Sequence, residues 1–141
     1  MSTAVHKDFH GAMSYGLTFL QRQYGDREME DYLRQVGRVV YSPLSRALRE
    51  RGLVALEEHW RRIFTLEGGD FDLRYEGEAL VLEVRRCPAI HHMRQRGYHV
   101  ADRYCEHTRL VNDEICRAAG YQASVQYDQA AGRCIQRFWR P

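Results

Sequence analysis

No two cysteines in this chain are spaced as C-x-x-C. The four, Cys87, Cys105, Cys116 and Cys134, are separated by 17, 10 and 17 residues, which argues against ribbon- and finger-type zinc sites. No run approaches the roughly 20 apolar residues needed to cross a bilayer. The start, MSTAVHKDFHGAM, has neither the basic opening nor the long apolar segment of a secretory signal. The expected location is therefore cytoplasmic, with no membrane partner, and the cysteines are read as reduced thiols or ligands rather than a disulfide framework. An excess of charge is missing too, since 21 Lys and Arg against 19 Asp and Glu leave a formal net charge of +2. Arg85, Arg86, Arg94 and Arg96 form a short cluster around a loop, not a basic stripe with aromatic platforms, so no nucleic-acid partner is expected. With only three prolines, no low-complexity tract and no Pro- or Ser-rich linker, residues 1–141 read as one domain with a flexible start over about residues 1–7.

What is present is a change of period along the chain. Phe9, Met13, Leu17 and Leu20 recur at helical spacing, with Asp8 as the expected N-cap and Tyr24-Gly25 as the stop. Met29, Leu33, Val36, Val40, Leu44 and Leu48 then form one long stripe, which Pro43 should break or kink near Tyr41-Ser42. A further helix is expected over Leu53 to Leu66, ended by Gly68-Gly69. Phe71 to Tyr75 alternates, Glu76-Gly77-Glu78 turns, and Ala79 to Val84 returns as a second strand. Helices over Ala89–Arg96 and Ala101–Ala119 follow, and a second strand pair spans Tyr121–Tyr127 and Cys134–Trp139. Strands in adjacent antiparallel pairs define an α+β fold: N-terminal helices, then two strand pairs in one sheet with two helices inserted between them.

Cys105 falls on an inward face with Tyr104, Thr108, Asn112, Ile115 and Cys116, a stripe small and polar enough to leave room for a ligand. A thiol, a hydroxyl and an amide (Cys105, Thr108 and Asn112) would then point into one cavity, although buried cysteines more often serve as small hydrophobes. Cys87 stands where a strand gives way to a helix, with Pro88 at the first helical position, a setting that favours thiolate. Cys134 would lie near Cys87 if the two hairpins join one sheet. Among seven histidines, His10 is the best placed for chemistry, on the flank of the first apolar stripe. His107, about 200° round a helix from Cys105, should face elsewhere.

Three contexts then line up: Arg86-Cys87-Pro88, Tyr104-Cys105-Glu106-His107, and Gly132-Arg133-Cys134 followed by Phe138. Together they resemble the family of L-2-amino-thiazoline-4-carboxylic acid hydrolases, over roughly residues 30 to 139. The immediate acid Glu106 and the run Ile135-Gln136-Arg137-Phe138 depart from that family's pattern. The resemblance implies a small cysteine-dependent hydrolase that opens a C–N bond in a cyclic amidine or thiazoline-like molecule. In that reading Cys105 is the nucleophile, His10 the acid and base, and Cys87, Asn112, Cys134 and Thr108 line the substrate pocket. A helix N-terminus or an arginine would hold a substrate carboxylate, with no cofactor and no metal, and homo-oligomerisation stays open. Two other readings stand beside it: a zinc or iron site built from Cys87, Cys105, Cys134 and a histidine, and a non-catalytic module that binds a small molecule.

Overall fold

The computed structural model describes residues 6–141. The expectation of a flexible start falls on residues 1–5, outside the described residues, and on His6 and Lys7. Lys7 is anchored, its Nζ donating to the Glu67 carbonyl at 3.0 Å. Four helices come first: α1 (Asp8–Tyr24), α2 (Asp26–Val39), α3 (Ser42–Arg51) and α4 (Val54–Leu66). β1 (Asp70–Glu76) and β2 (Ala79–Arg86) follow, then α5 (Pro88–Arg96), α6 (Glu106–Arg117), β3 (Gln122–Asp128) and β4 (Arg133–Trp139). The strands form one antiparallel sheet in the order β1-β2-β4-β3, which is the α+β architecture the periodicities imply. No helix of the described residues is long and apolar enough to cross a membrane.

The long stripe breaks where Pro43 requires it, between α2 and α3. Two expectations need correction. Asp8 is the first residue of α1 rather than its cap, and Lys7, at the N-cap, makes no side-chain cap bond. The last helix begins at Glu106, not Ala101, so Cys105 occupies its N-cap instead of its interior. The reason is a side chain from the β3–β4 turn: Gln129 Oε1 accepts the Cys105 N–H at 2.9 Å, and its Nε2 donates to the Ala101 carbonyl at 2.8 Å. These bonds hold residues 101–105 as a separate turn.

The α1 stripe holds for Met13, Leu17 and Leu20, which pack together in the core, but not for Phe9. Gly11, Ser14 and Leu17 are buried, while Phe9 remains 50% exposed. Tyr98 lies so close to Gly11 that a Cβ there would sit 2.7 Å from its ring. Ser14 Oγ donates to the His99 carbonyl and accepts from the Ala101 N–H, both at 2.7 Å.

One sheet face supplies buried Leu73, Leu80, Leu82, Val84 and Phe138 to a core shared with Leu48, Leu56, Val111 and Ile115. A second cluster joins α1, α2, α5 and the segment before α6 through Leu17, Met29, Leu33, Ile90, Met93 and Tyr104. Cys87 packs against both clusters, and a cavity opens at this seam.

Candidate functional site

The register of the central strands sets the first part of the site. Val84 pairs with Cys134, and three residues beyond that pair the Cys87 N–H donates to the Gly132 carbonyl at 2.8 Å. The joined hairpins thus set Cys134 and Cys87 at neighbouring points of the sheet's end. Cys87 is the N-cap of α5, with Pro88 at the helix start, and Cys105 is the N-cap of α6. Both helices begin at a cavity of about 240 Å³. Its lining includes all six residues singled out from sequence: Cys105, His10, Cys87, Asn112, Cys134 and Thr108. Cys116 is fully buried in the sheet-side core and lies outside it.

Residues that the sequence did not single out complete the wall. Glu67 caps the C-terminal end of α4 and is 7% exposed. An acid there faces the negative end of the helix dipole and loses hydration as well, two unfavourable effects that call for a partner. The partner is His10, whose Nε2 lies 2.5 Å from Glu67 Oε1. The other ring nitrogen, Nδ1, lies 3.3 Å from the Tyr104 hydroxyl. With a carboxylate on one side, His10 Nε2 carries the proton and Nδ1 accepts from Tyr104, so the ring is fixed in tautomer and orientation.

His107 corrects the sequence expectation, since it lines the same cavity as Cys105. A residue at a helix N-cap does not obey the angular rule for a helix interior, and the cavity wraps the terminus. His107 Nδ1 donates to the Tyr104 carbonyl at 2.7 Å, leaving Nε2 as a bare acceptor. On the far wall Asn112 Nδ2 donates to Gln136 Oε1 at 2.8 Å, and Gln136 Nε2 donates to Cys134 Sγ at 3.4 Å. Val36, Ile63, Val84 and Val111 make much of the remaining surface apolar.

Burial decides the protonation of the sulfurs. It pushes the Cys105 thiol up to about 12 and Cys134 up to about 11. Cys87 is raised as well, chiefly by burial, although the N–H groups of Ala89 and Ile90 pull it the other way. The helix N-terminus therefore does not win at Cys87 as the sequence suggested, because desolvation outweighs the backbone donors. Burial also drives His59 down to about 4 and lowers His107, so both rings are neutral at pH 7. Tyr104 and Tyr41 are raised by burial and by the Glu67 charge and stay protonated.

Among the described residues no three His, Cys, Asp or Glu side chains are grouped so as to hold a metal ion. Cys87, Cys105 and Cys134 share the cavity without forming such a group. Neither the family models nor the curated proteins compared with this chain match it.

Proposed function

We propose that the protein is a cysteine-dependent hydrolase that opens a C–N bond in a small cyclic amidine or thiazoline-like molecule, in keeping with the family resemblance of its three cysteine contexts. The observation that carries this reading is that Cys105 and the Glu67-anchored His10 line one and the same largely apolar cavity. A thiol held up at about 12 is not a thiolate at neutral pH, so its proton must leave as it attacks. His10 takes that proton at Nδ1, the long Tyr104 contact giving way, while the sulfur bonds to the ring carbon between the heteroatoms. The C=N electron pair moves to nitrogen. His10 returns the proton to that nitrogen. The lone pair of the second amidine nitrogen forms a new C=N bond as the ring C–N bond breaks, and the proton this second nitrogen loses passes through His10 to the departing nitrogen, which leaves as an amine. Water adds to the resulting S-linked intermediate, giving up a proton to His10, and the sulfur leaves as the thiol.

Incubation with thiazoline carboxylates and simpler cyclic amidines, with ring opening followed by absorbance and intact-protein mass spectrometry, tests the reading. It expects product together with a transient adduct on Cys105. No turnover across that panel, or turnover with no dependence on any cavity cysteine, contradicts it. A second reading has its own support: all three cavity thiols are held neutral by burial, which suits a module that binds without reacting. Saturable binding of the same compounds with no product would favour it.

A further inference from the structure

The hydrogen-bonding inventory of the cavity narrows its ligand. Glu67 spends one oxygen on His10, and among the described residues nothing donates to Oε2. Asn112 is 1% exposed, and its amide is oriented by the bond from Nδ2 to Gln136 Oε1; among the described residues no donor reaches its Oδ1. His107 donates through Nδ1 to a carbonyl, which leaves the Nε2 lone pair without a partner. Trp60 Nε1, a donor on the cavity lining, is the one side-chain polar atom among the described residues that is both sealed off and unpartnered, so the two free oxygens are not sealed. Three side chains that line the cavity thus hold an unused acceptor, and two of them are more than nine-tenths buried. The single lysine or arginine in the lining is Arg133, which is exposed.

We infer that the cavity prefers a planar, N–H-rich cation of the amidinium or guanidinium class, held by Glu67 and Asn112, over a carboxylate of the same shape. This rests on the reading of the cavity as the substrate site and adds to it which end of a substrate enters first. An amidinium directs several N–H groups outward in one plane, of which Glu67 Oε2 and Asn112 Oδ1 can each accept one. Aromatic Tyr41 and Trp60 also line the cavity, and aromatic surface favours a nearby cation. A ligand carboxylate would meet the like charge of Glu67 and the lone pairs of Asn112 and His107, which the donors of the lining, Trp60 Nε1 and the Thr108 hydroxyl, would have to offset.

Isothermal titration of the unsubstituted protein with benzamidine and with benzoate, a matched planar pair of opposite charge, is the direct test. Benzamidine should bind at least tenfold more tightly than benzoate. Glu67→Gln should weaken benzamidine at least tenfold and Asn112→Leu at least threefold, while Cys116→Ala, outside the cavity, leaves it unchanged. Should either cavity variant fail to fold, as judged by circular dichroism, the pair of titrations on the unsubstituted protein decides alone. Equal or tighter binding of benzoate overturns the inference, as does no binding of either compound at millimolar concentration, or benzamidine affinity indifferent to Glu67→Gln. Benzamidine selectivity without turnover of any cyclic amidine would sink the hydrolase reading and leave this inference standing. Turnover without such selectivity would do the reverse.

Discussion

Glu67 Oε1 at the end of α4 lies 2.5 Å from His10 Nε2 in α1, a bond between residues 57 apart in the chain. It joins the helix that precedes the sheet to the first helix, and both partners are nearly enclosed, with side chains 11% and 8% exposed for His10 and Glu67.

Removing the two partners should not cost the same. Glu67→Leu leaves His10 a lost hydrogen bond, worth about 1–3 kcal/mol when buried. His10→Phe strands a carboxylate at a helix C-terminus, for which about 3–5 kcal/mol is expected. Urea unfolding of both variants and of the double variant checks this. The double variant should recover much of the His10→Phe loss, and equal single losses that simply add would contradict the pairing.

That pairing also shows where the sequence stops being informative. The strand pairs announce themselves by period 2, and Pro43 marks the break between α2 and α3, because these signals are local. The approach of Cys87 to Cys134 followed once the two hairpins were placed in one sheet. Glu67 carries no such signal: an acid between Leu66 and Gly68 looks like any polar helix end, and only the return of α1 buries it. The start of α6 was hidden for a similar reason, since Gln129, 24 residues beyond Cys105, supplies the bonds that separate the turn from the helix. His107 was excluded by an angle that holds only inside a helix.

Thiol reactivity should follow the burial of the sulfurs. With Cys105 at about 12 and Cys134 at about 11, alkylation of the native protein should be slow at pH 7.5. Its rate should keep rising with pH past 9 instead of levelling off. Peptide mapping after timed iodoacetamide treatment reads each site, and a plateau at Cys105 below pH 8 would show an accessible thiolate that burial does not allow.

Acid should destabilise the fold through His59. Its folded value of about 4 lies below the ordinary 6.5 because burial disfavours the charged ring. The unfolded chain therefore binds the proton first, so the stabilisation present above pH 6.5 is lost as pH falls toward about 4. His107, lowered in the same way, adds to the slope. Melting temperatures measured from pH 7.5 to pH 4 should fall less steeply for His59→Phe than for the parent; parallel curves would contradict the assignment.

Two glycines should respond oppositely to alanine. At Gly37 a Cβ would lie 2.8 Å from Glu114 Cβ and 3.1 Å from the Val111 carbonyl oxygen, where α2 crosses α6. Gly37→Ala should therefore cost about 1–3 kcal/mol. Gly16, in α1, meets nothing within 4 Å, and Gly16→Ala should stabilise by up to about 1 kcal/mol through helix propensity. Thermal melts of the two variants settle the contrast, and a tolerated Gly37→Ala would mean that α2 and α6 are not so closely apposed.

The central claim is that Cys105 does chemistry and is not merely a small core residue, and Cys116 provides the control. Both are cysteines of the same helical region, and each truncation to alanine should cost on the order of 1 kcal/mol, which a domain with a typical margin of about 5–15 kcal/mol survives. The measurement is kcat/KM on a cyclic amidine that the parent hydrolyses, taken with melting temperature, for Cys105→Ala and Cys116→Ala. The account predicts a loss of several orders of magnitude for Cys105→Ala at nearly unchanged melting temperature, with little change in rate for Cys116→Ala. Near-parental turnover by Cys105→Ala would contradict it and pass the nucleophile's role to Cys87.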